Sequence, residues 1–515
     1  MSTFNQMFTK GEFYPPIEHK DRINRYKENK LLIEGKHGEL FRKHNFNRNG
    51  KLYVSVNLAG IIAKKSADFL IGDGVQVSAG KEDNSREQVA LDRIKDANDV
   101  DILFYESALA NAYRGDSFFK VRYGQEYGGM YPPEFDNPRV IIETLDAGYV
   151  FPEVAKHNKN LITAYHVAIP IRIDDESKEI MESDWVLNIE SHYAGKIIYN
   201  QFKLTVMVTE ADGTPIDFKI GDPIGSPQEV FTGVPVPLVV HVPNFSLDDH
   251  WEGLDDLSEL KPLFDELNNR LSQVASILDK HSDPALALPM GLLTEDEHGR
   301  PIFNVANSKV FEIDGNSKDI IPQYVTWNGQ LQEAYSEIDR IIDMILITAE
   351  IPAVALGKGD SGTSGSSGLA IRFRLNSLLA KIKRKRKYYE KGLKRVFLIA
   401  QYLESVVGVA DYEISTPKLT FTDGLDKDEL QEANLTSIRT GGAVTMSQKT
   451  AIMKLDGLTE EQADAEIARI EEEQSAQAKK EATASPSIFN DLEEDEEEDE
   501  PEEEEEKEES EEEQE

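Results

Sequence analysis

GLDDLSELKPLFDELNNRLSQVASIL, residues 253–278, sets apolar side chains at Leu257, Leu260, Phe264, Leu267, Leu271, Val274 and Leu278. Steps of three and four predict one helix with a narrow apolar stripe, about 30 Å long. Pro262 lacks an N–H, so it must enter near the first turn or kink the helix. Leu331, Tyr335, Ile338, Ile342, Ile345 and Ala349 repeat the spacing and predict a second helix of matched length. Between them, LALPMGLL, the polar turn TEDEHGRP, and strand-like KVFEI and IIPQYVTW form a different excursion, residues 285–327. Two matched helices around a β-containing insertion predict an out-and-back stalk. Their narrow stripes call for partner helices, from this chain or from other subunits.

The second helix runs into GKGDSGTSGSSGLAIRFR, residues 357–374. Gly357, Gly359 and Gly362 satisfy G-x-G-x-x-G, but the window about 20 residues on, where a ribose-binding acid belongs, is the basic AKIKRKRK. GDSG lacks the second glycine of a protease nucleophile loop, and no histidine sits in a recognisable partner motif. Gly359, Gly362, Gly365 and Gly368 recur every third residue as in collagen, without proline. What survives is a flexible joint made of Gly357, Lys358, Gly359, Asp360, Ser361, Gly362, Thr363, Ser364, Gly365, Ser366, Ser367 and Gly368.

After the joint, residues 369–407 carry the longest helical pattern. Leu375, Leu378, Leu379, Ile382, Tyr389, Leu393, Val396, Phe397, Ala400 and Leu403 give it an apolar face. Gly392 is where a bend is expected. Between Arg372 and Arg395, 11 of 24 residues are Lys or Arg against one Glu. Lys381, Lys383, Arg384, Lys385, Arg386 and Lys387 are its densest part, to be explained by ion pairing within or between chains or by DNA contact.

Upstream, residues 15–45 are charged and rich in helix formers. LYVSVNLAGIIAKKSADFLIGDGVQVS (52–78) and VDILFYESALANAYRGDSFFKVRYG (100–124) each read as a buried helix, a glycine break and a strand. Short β-branched and aromatic runs then alternate with turn signals to about residue 245, predicting a mostly antiparallel region. Downstream, YEISTPKLTFTDG (412–424) reads as a strand, followed by short helices. Thr445 with Gln448, and Thr459 with Gln462, fit capping boxes. Periodicity fades over 471–490.

The chain has 515 residues, no cysteine and a formal net charge of -39. That length implies several compact units, and the missing thiols fit a reducing cytoplasm. The sequence carries no signal-peptide pattern and no apolar run long enough for a bilayer, which predicts a soluble protein without a membrane partner. Residues 491–515 hold 20 acids and one lysine, so the rest still carries -20. Such a tail is expected to be disordered, and an acidic body argues against tight nucleic-acid binding without excluding weak contact. The acidic and histidine cluster DDHWE (248–252) reads as helix-opening acids rather than a metal site. No enzyme class, cofactor or metal emerges.

NLAGIIAKKSADFLIGDGV (57–75), FYESALANAYRGDSFFKV, VPVPLVVHVPN followed by the 253–278 stretch, SGLAIRFRL (367–375) and LTFTDGLDKDELQEA occur in an order that resembles the portal proteins of long-tailed bacteriophages. The resemblance covers roughly residues 20–475 and implies an α+β portal fold. Its wing would comprise residues 1–250 and 369–424, and its two-helix stem 251–284 and 328–350. A small α/β clip at 285–327, a tunnel loop at 351–368 and a helical crown at 425–475 would complete it. The disordered acidic tail, 476–515, departs from the family pattern. The same resemblance implies a dodecameric ring at one capsid vertex, assembled in the host cytoplasm, whose channel passes double-stranded DNA without reading its sequence. Expected partners are the terminase large subunit, a head-tail adaptor, and the major capsid and scaffolding proteins. Terminase would dock at the clip, where Glu295, Asp296, Glu297, His298 and Arg300 are the candidates. A non-viral oligomeric helical scaffold and an unrecognised nucleotide-binding enzyme stand as alternatives.

Overall fold

The computed structural model describes residues 7–41, 53–82, 84–132, 134–155, 158–173, 183–210, 213–282, 285–289, 294–295, 301–302, 310–313, 323–325, 331–357, 368–422, 429–441, 444–456 and 460–484. The chain divides into two units, residues 1–425 and 426–515.

In the first unit, both helix-break-strand readings are present. Asn57 Oδ1 accepts from Gly60 N at 2.8 Å and caps the helix Leu58–Ile71, and strand Val75–Ser78 follows. Val100–Arg114 ends at Gly115, whose φ of +88° closes the helix at a left-handed position that favours glycine. Strand Asp116–Gly124 starts at the next residue.

The region to residue 245 is antiparallel, as its alternation predicts. Strands Phe13–Tyr14, Pro215–Pro223, Lys196–Thr209, Trp185–Tyr193, Asn158–Arg172 and Val150–Ala155 lie side by side in that order, and Gln228–Phe231 pairs with Lys196–Thr209. One face of this sheet buries Phe151, Ala168, Leu187, Leu204, Val206 and Phe218 with Phe8 and Tyr14. A smaller sheet orders Val239–Pro243, Asp116–Gly124 and Arg139–Leu145. The long helix Asn376–Val407 crosses that smaller sheet. Phe104 meets Phe119, Tyr389 and Phe397 edge-on at 5.8, 6.4 and 6.2 Å between ring centroids, and Tyr389 donates to the Phe104 carbonyl at 2.7 Å.

The long helix corrects one expectation. It is continuous through Gly392, and the interruption falls at Leu375, after the short helix Gly368–Arg374. Even there the ladder persists, with Leu375 N donating to Ile371 O and Leu379 N to Leu375 O. Gly392 serves close packing instead: a Cβ there would lie 2.4 Å from Val242 Cγ2. Gly392→Ala should therefore cost about 1–3 kcal/mol, and Val242→Ala in the same chain should recover most of it, as measured by urea unfolding.

The two striped helices are Lys261–Ser282 and Leu331–Thr348, of 22 and 18 residues, packed on each other with Arg270 Nε 3.2 Å from Glu337 Oε1. The first begins later than its stripe. Leu257 lies outside it and Leu260 in a tight turn before it, while Pro262 takes the second helical position, inside the first turn. In the second helix Tyr335 is 44% exposed, whereas Ile341 and Leu346 are buried beside Ile338 and Ile345. A straight helix of 3.6 residues per turn drifts away from a 3.5 repeat, so a strict stripe cannot stay on one face. In the insertion, Ala285–Pro289 pairs in parallel with Val310–Ile313 and antiparallel with Gln323–Val325, and Thr294–Glu295 pairs with Pro301–Ile302. The described residues of this insertion contain no helix.

The strand expected over 412–424 shrinks to Lys418–Phe421, paired with Val75–Ser78. In the second unit, helices Glu429–Gly441, Gln448–Asp456 and Glu460–Ala484 follow. Ser447, not Thr445, caps the middle one, accepting from Thr450 N at 3.2 Å. The Thr459 capping box and the acidic 491–515 stretch lie outside the described residues. The last helix runs on past residue 471 because Ala, Glu, Gln and Lys hold a helix without an apolar stripe.

Four histidines of the first unit are buried, and three of them, His19, His37 and His192, are 5%, 0% and 0% exposed and shifted by their surroundings. Burial, helped by the Arg22 charge, pushes His19 down to about 3, and burial lowers His37 and His192 as well. Each ring is therefore harder to protonate in the folded chain than in the unfolded one, where protons bind near pH 6.5. Stability should fall as pH drops below about 6.5, by up to about 1.4 kcal/mol per pH unit for each histidine. Urea unfolding at pH 7 and pH 5 checks this, and equal free energies would contradict it.

Candidate functional site

The joint between the two striped helices and the long helix is built around Asp256. Its neighbour Asp255 does the capping: Oδ1 accepts from Leu257 N at 2.9 Å and Ser258 N at 2.6 Å, and Oδ2 accepts from Ser258 Oγ at 2.7 Å. With the cap filled, the Asp256 side chain is free to turn inward, where it is 1% exposed. Its Oδ2 accepts from Ser66 Oγ at 2.7 Å and from Lys385 Nζ. Its Oδ1 accepts from Asn244 Nδ2 at 3.2 Å and faces Lys381 Nζ at 3.4 Å. Lys381 Nζ also donates to the Ala349 carbonyl at 2.9 Å, at the end of the second striped helix. One carboxylate thus ties the approach to the first striped helix, the end of the second and the start of the long helix.

The electrostatics agree with that geometry. Burial alone would raise the Asp256 carboxyl, but the Lys381 and Lys385 ammoniums and its hydrogen bonds hold it well below the usual carboxylate range. Burial pushes Lys385 down to about 8 against the attraction of Asp256. Two ammoniums share one carboxylate, and Lys381 turns a further N–H to the Ala349 carbonyl rather than to a second acid. One turn along, Arg384 Nη2 reaches both Glu350 oxygens at 2.5 and 2.7 Å. Glu350 takes φ +58°, a left-handed helix-terminating position usually given to glycine.

The other sequence candidates fall as follows. Arg386 donates to Thr422 O at 2.9 Å and stacks over Phe421 at 5.2 Å, while Lys383 and Lys387 are exposed. Gly357 ends the turn Ala353–Leu356 at φ +74°, and Gly368 opens the next helix. Lys358, Gly359, Asp360, Ser361, Gly362, Thr363, Ser364, Gly365, Ser366 and Ser367 lie outside the described residues, as do Asp296, Glu297, His298 and Arg300. Glu295 ends a two-residue strand. DDHWE does not open a helix. Glu252 instead accepts from Arg25 at 3.0 Å, and Asp249 lies 3.4 Å from exposed His250. Among the described residues no cluster of His, Asp or Glu is arranged to hold a metal, and no helix is long and apolar enough to cross a membrane.

Sequence reasoning missed Asp256 as a centre, because acids just before a helix read as caps and Asp255 fills that role. It also missed Asp116, fully buried, which accepts from Tyr26 Oη at 2.5 Å and Gly253 N at 2.8 Å and meets His241 Nε2 at 2.6 Å. Nearby, buried Arg22 donates to the carbonyls of Ala147 and Val150 at 2.9 and 3.0 Å. The Gly-Asp pair at 115–116 was the only trace of this second knot in the sequence.

The described residues combine a mixed helix-and-sheet body, a packed helix pair on either side of a small β insertion, and a long basic helix. Residues 195–480, more than half of the chain, match the family described as phage portal protein, SPP1 Gp6-like, and the chain belongs to that family. No individual curated protein matches it. Membership gives the chain a structural role in the virion capsid, in a family whose members work as oligomeric rings in DNA packaging.

Proposed function

We propose that twelve copies of this chain close into a ring at one capsid vertex, and that double-stranded DNA passes through its channel during packaging and ejection. Residues 1–250 and 369–424 then form the wing, 251–284 and 328–350 the stem, 285–327 the clip, 351–368 the tunnel loop, 425–475 the crown, and 476–515 the tail. The observation that carries this reading is the Asp256 joint, which holds Ala349 and Lys381, on either side of the glycine-rich segment, through the same few side chains. A loop anchored at both ends can change shape without loosening the helices that carry it. Because each phosphate contact adds affinity through released counterions, a channel must avoid a strongly basic lining if DNA is to slide. The acidic body suits that requirement. The chain hydrolyses nothing itself in this reading. A terminase docks at the clip around Glu295, Asp296, Glu297, His298 and Arg300, and the head-tail adaptor, major capsid and scaffolding proteins meet other faces.

Replacing residues 358–367 by a shorter, rigid linker should leave rings intact and impair packaging, scored as DNA protected from nuclease in filled heads. Packaging at the wild-type level would count against a moving loop.

A further inference from the structure

Between Leu378 and Gln401 the exposed positions of the long helix are Lys383, Arg384, Lys387, Lys391 and Arg395, and every one is a cation. Arg384 is matched by Glu350. The other four have no carboxylate partner among the described residues. They sit four residues apart and make a stripe about 18 Å long, inclined to the helix axis. Like charges at that spacing weaken a helix, and nothing among the described residues accounts for them.

At its far end the stripe meets a cleft of about 90 Å³, where Lys391 and Arg395 stand with Lys159, His250, Tyr165 and Trp251, and no carboxylate lines it. The cleft suits one acidic side chain rather than a bulky ligand. Past it the same helix face continues into exposed apolar groups, Tyr402 at 38% and Val406 at 51%.

We infer that this stripe and cleft are the seat of an acidic face of a neighbouring copy of the chain, with a carboxylate of that copy entering between Lys391 and Arg395. The inference rests on the ring reading above and names a contact that holds the ring. Charge complementarity selects the occupant: outside its last 25 residues the chain still carries -20, so any neighbour presents mostly acid. Two acidic copies repel unless a cationic strip faces the partner. DNA would also meet the cations, but nucleic-acid interfaces are polar and positive throughout. A strip that grades into Tyr and Val has the aromatic, arginine and apolar mix of a protein interface.

The test compares full-length wild type with Lys391→Glu/Arg395→Glu and Lys391→Gln/Arg395→Gln, following ring formation against protein concentration by mass photometry. The reversal variant should need about tenfold more protein, or greater, to assemble. The neutral variant should fall between, and added salt should weaken wild type towards it. Both variants should keep the wild-type unfolding midpoint, since neither residue has a carboxylate partner within the described chain. Rings that form equally well in all three overturn the inference and leave the ring reading standing. Intact rings with weakened binding of a short random-sequence DNA duplex assign the stripe to DNA and likewise overturn it. Wild-type chains that remain monomers overturn the ring reading itself, and the inference with it.

Discussion

Asp256→Asn should lower the unfolding free energy by about 3–5 kcal/mol, the largest loss expected from any single isosteric change in this chain. The substitution keeps the shape, but an amide has one acceptor oxygen, so it can accept on the Ser66 side or the Asn244 side and not on both, and Lys381 and Lys385 lose the buried carboxylate they share. Removing one partner of a buried charge pair is far costlier than never having had the pair. Asp256→Asn/Lys385→Met should therefore recover a large part of the loss. The pH dependence has a definite sign. Lys385 titrates at about 8 when folded and near 10.4 when unfolded, so the folded chain releases its proton first and stability gains as pH rises between those values. Without Asp256 that release comes at still lower pH, and the deficit of the variant should shrink from pH 7 to pH 9. Urea unfolding at both values checks this. A variant within about 1 kcal/mol of wild type at pH 7 would mean that Asp256 does not hold the joint.

Gly253→Ala should be nearly as damaging, at about 3 kcal/mol or more. A Cβ at Gly253 would lie 1.9 Å from the Gly115 carbonyl oxygen and 2.9 Å from Asn244 N, and both obstacles are backbone. No rotamer change can relieve that contact. The chain would have to give up the Asn244 N to Gly115 O bond or the Gly253 N to Asp116 bond, each 2.8 Å. Gly408→Ala is the control. It shares the left-handed φ of Gly115, at +82°, but meets nothing within 4 Å, so its cost should stay near ~1 kcal/mol. Gly253 itself has no left-handed φ, so its loss must come from the close approach, and a loss no greater at 253 than at 408 would contradict that.

Legibility in the sequence followed the range of the interactions. Periodicity and glycine breaks depend on neighbours within a turn, so the helices ending at Ile71, Arg114 and Val407 and the helix pair 261–282 and 331–348 could be read directly. Of the ten residues expected on the apolar face of the long helix, only Leu379 is not fully buried. Gly392 was misread because a glycine inside a helix pattern looks the same whether it permits a bend or the approach of Val242, a strand residue 150 positions earlier. The joint itself was invisible, since Ser66, Asn244, Asp256, Lys381 and Lys385 share no spacing rule. Its two lysines were marked only as members of a basic run. What separates Lys381 and Lys385 from Lys383 and Lys387 is the side of the helix they occupy, and that can be seen only once Asp256 is placed beneath it.

Electron microscopy of the purified full-length chain tests the channel reading most directly. Closed toroids with a central opening wide enough for a DNA duplex are the predicted result. Open filaments, or compact particles without a through-going channel, would contradict it.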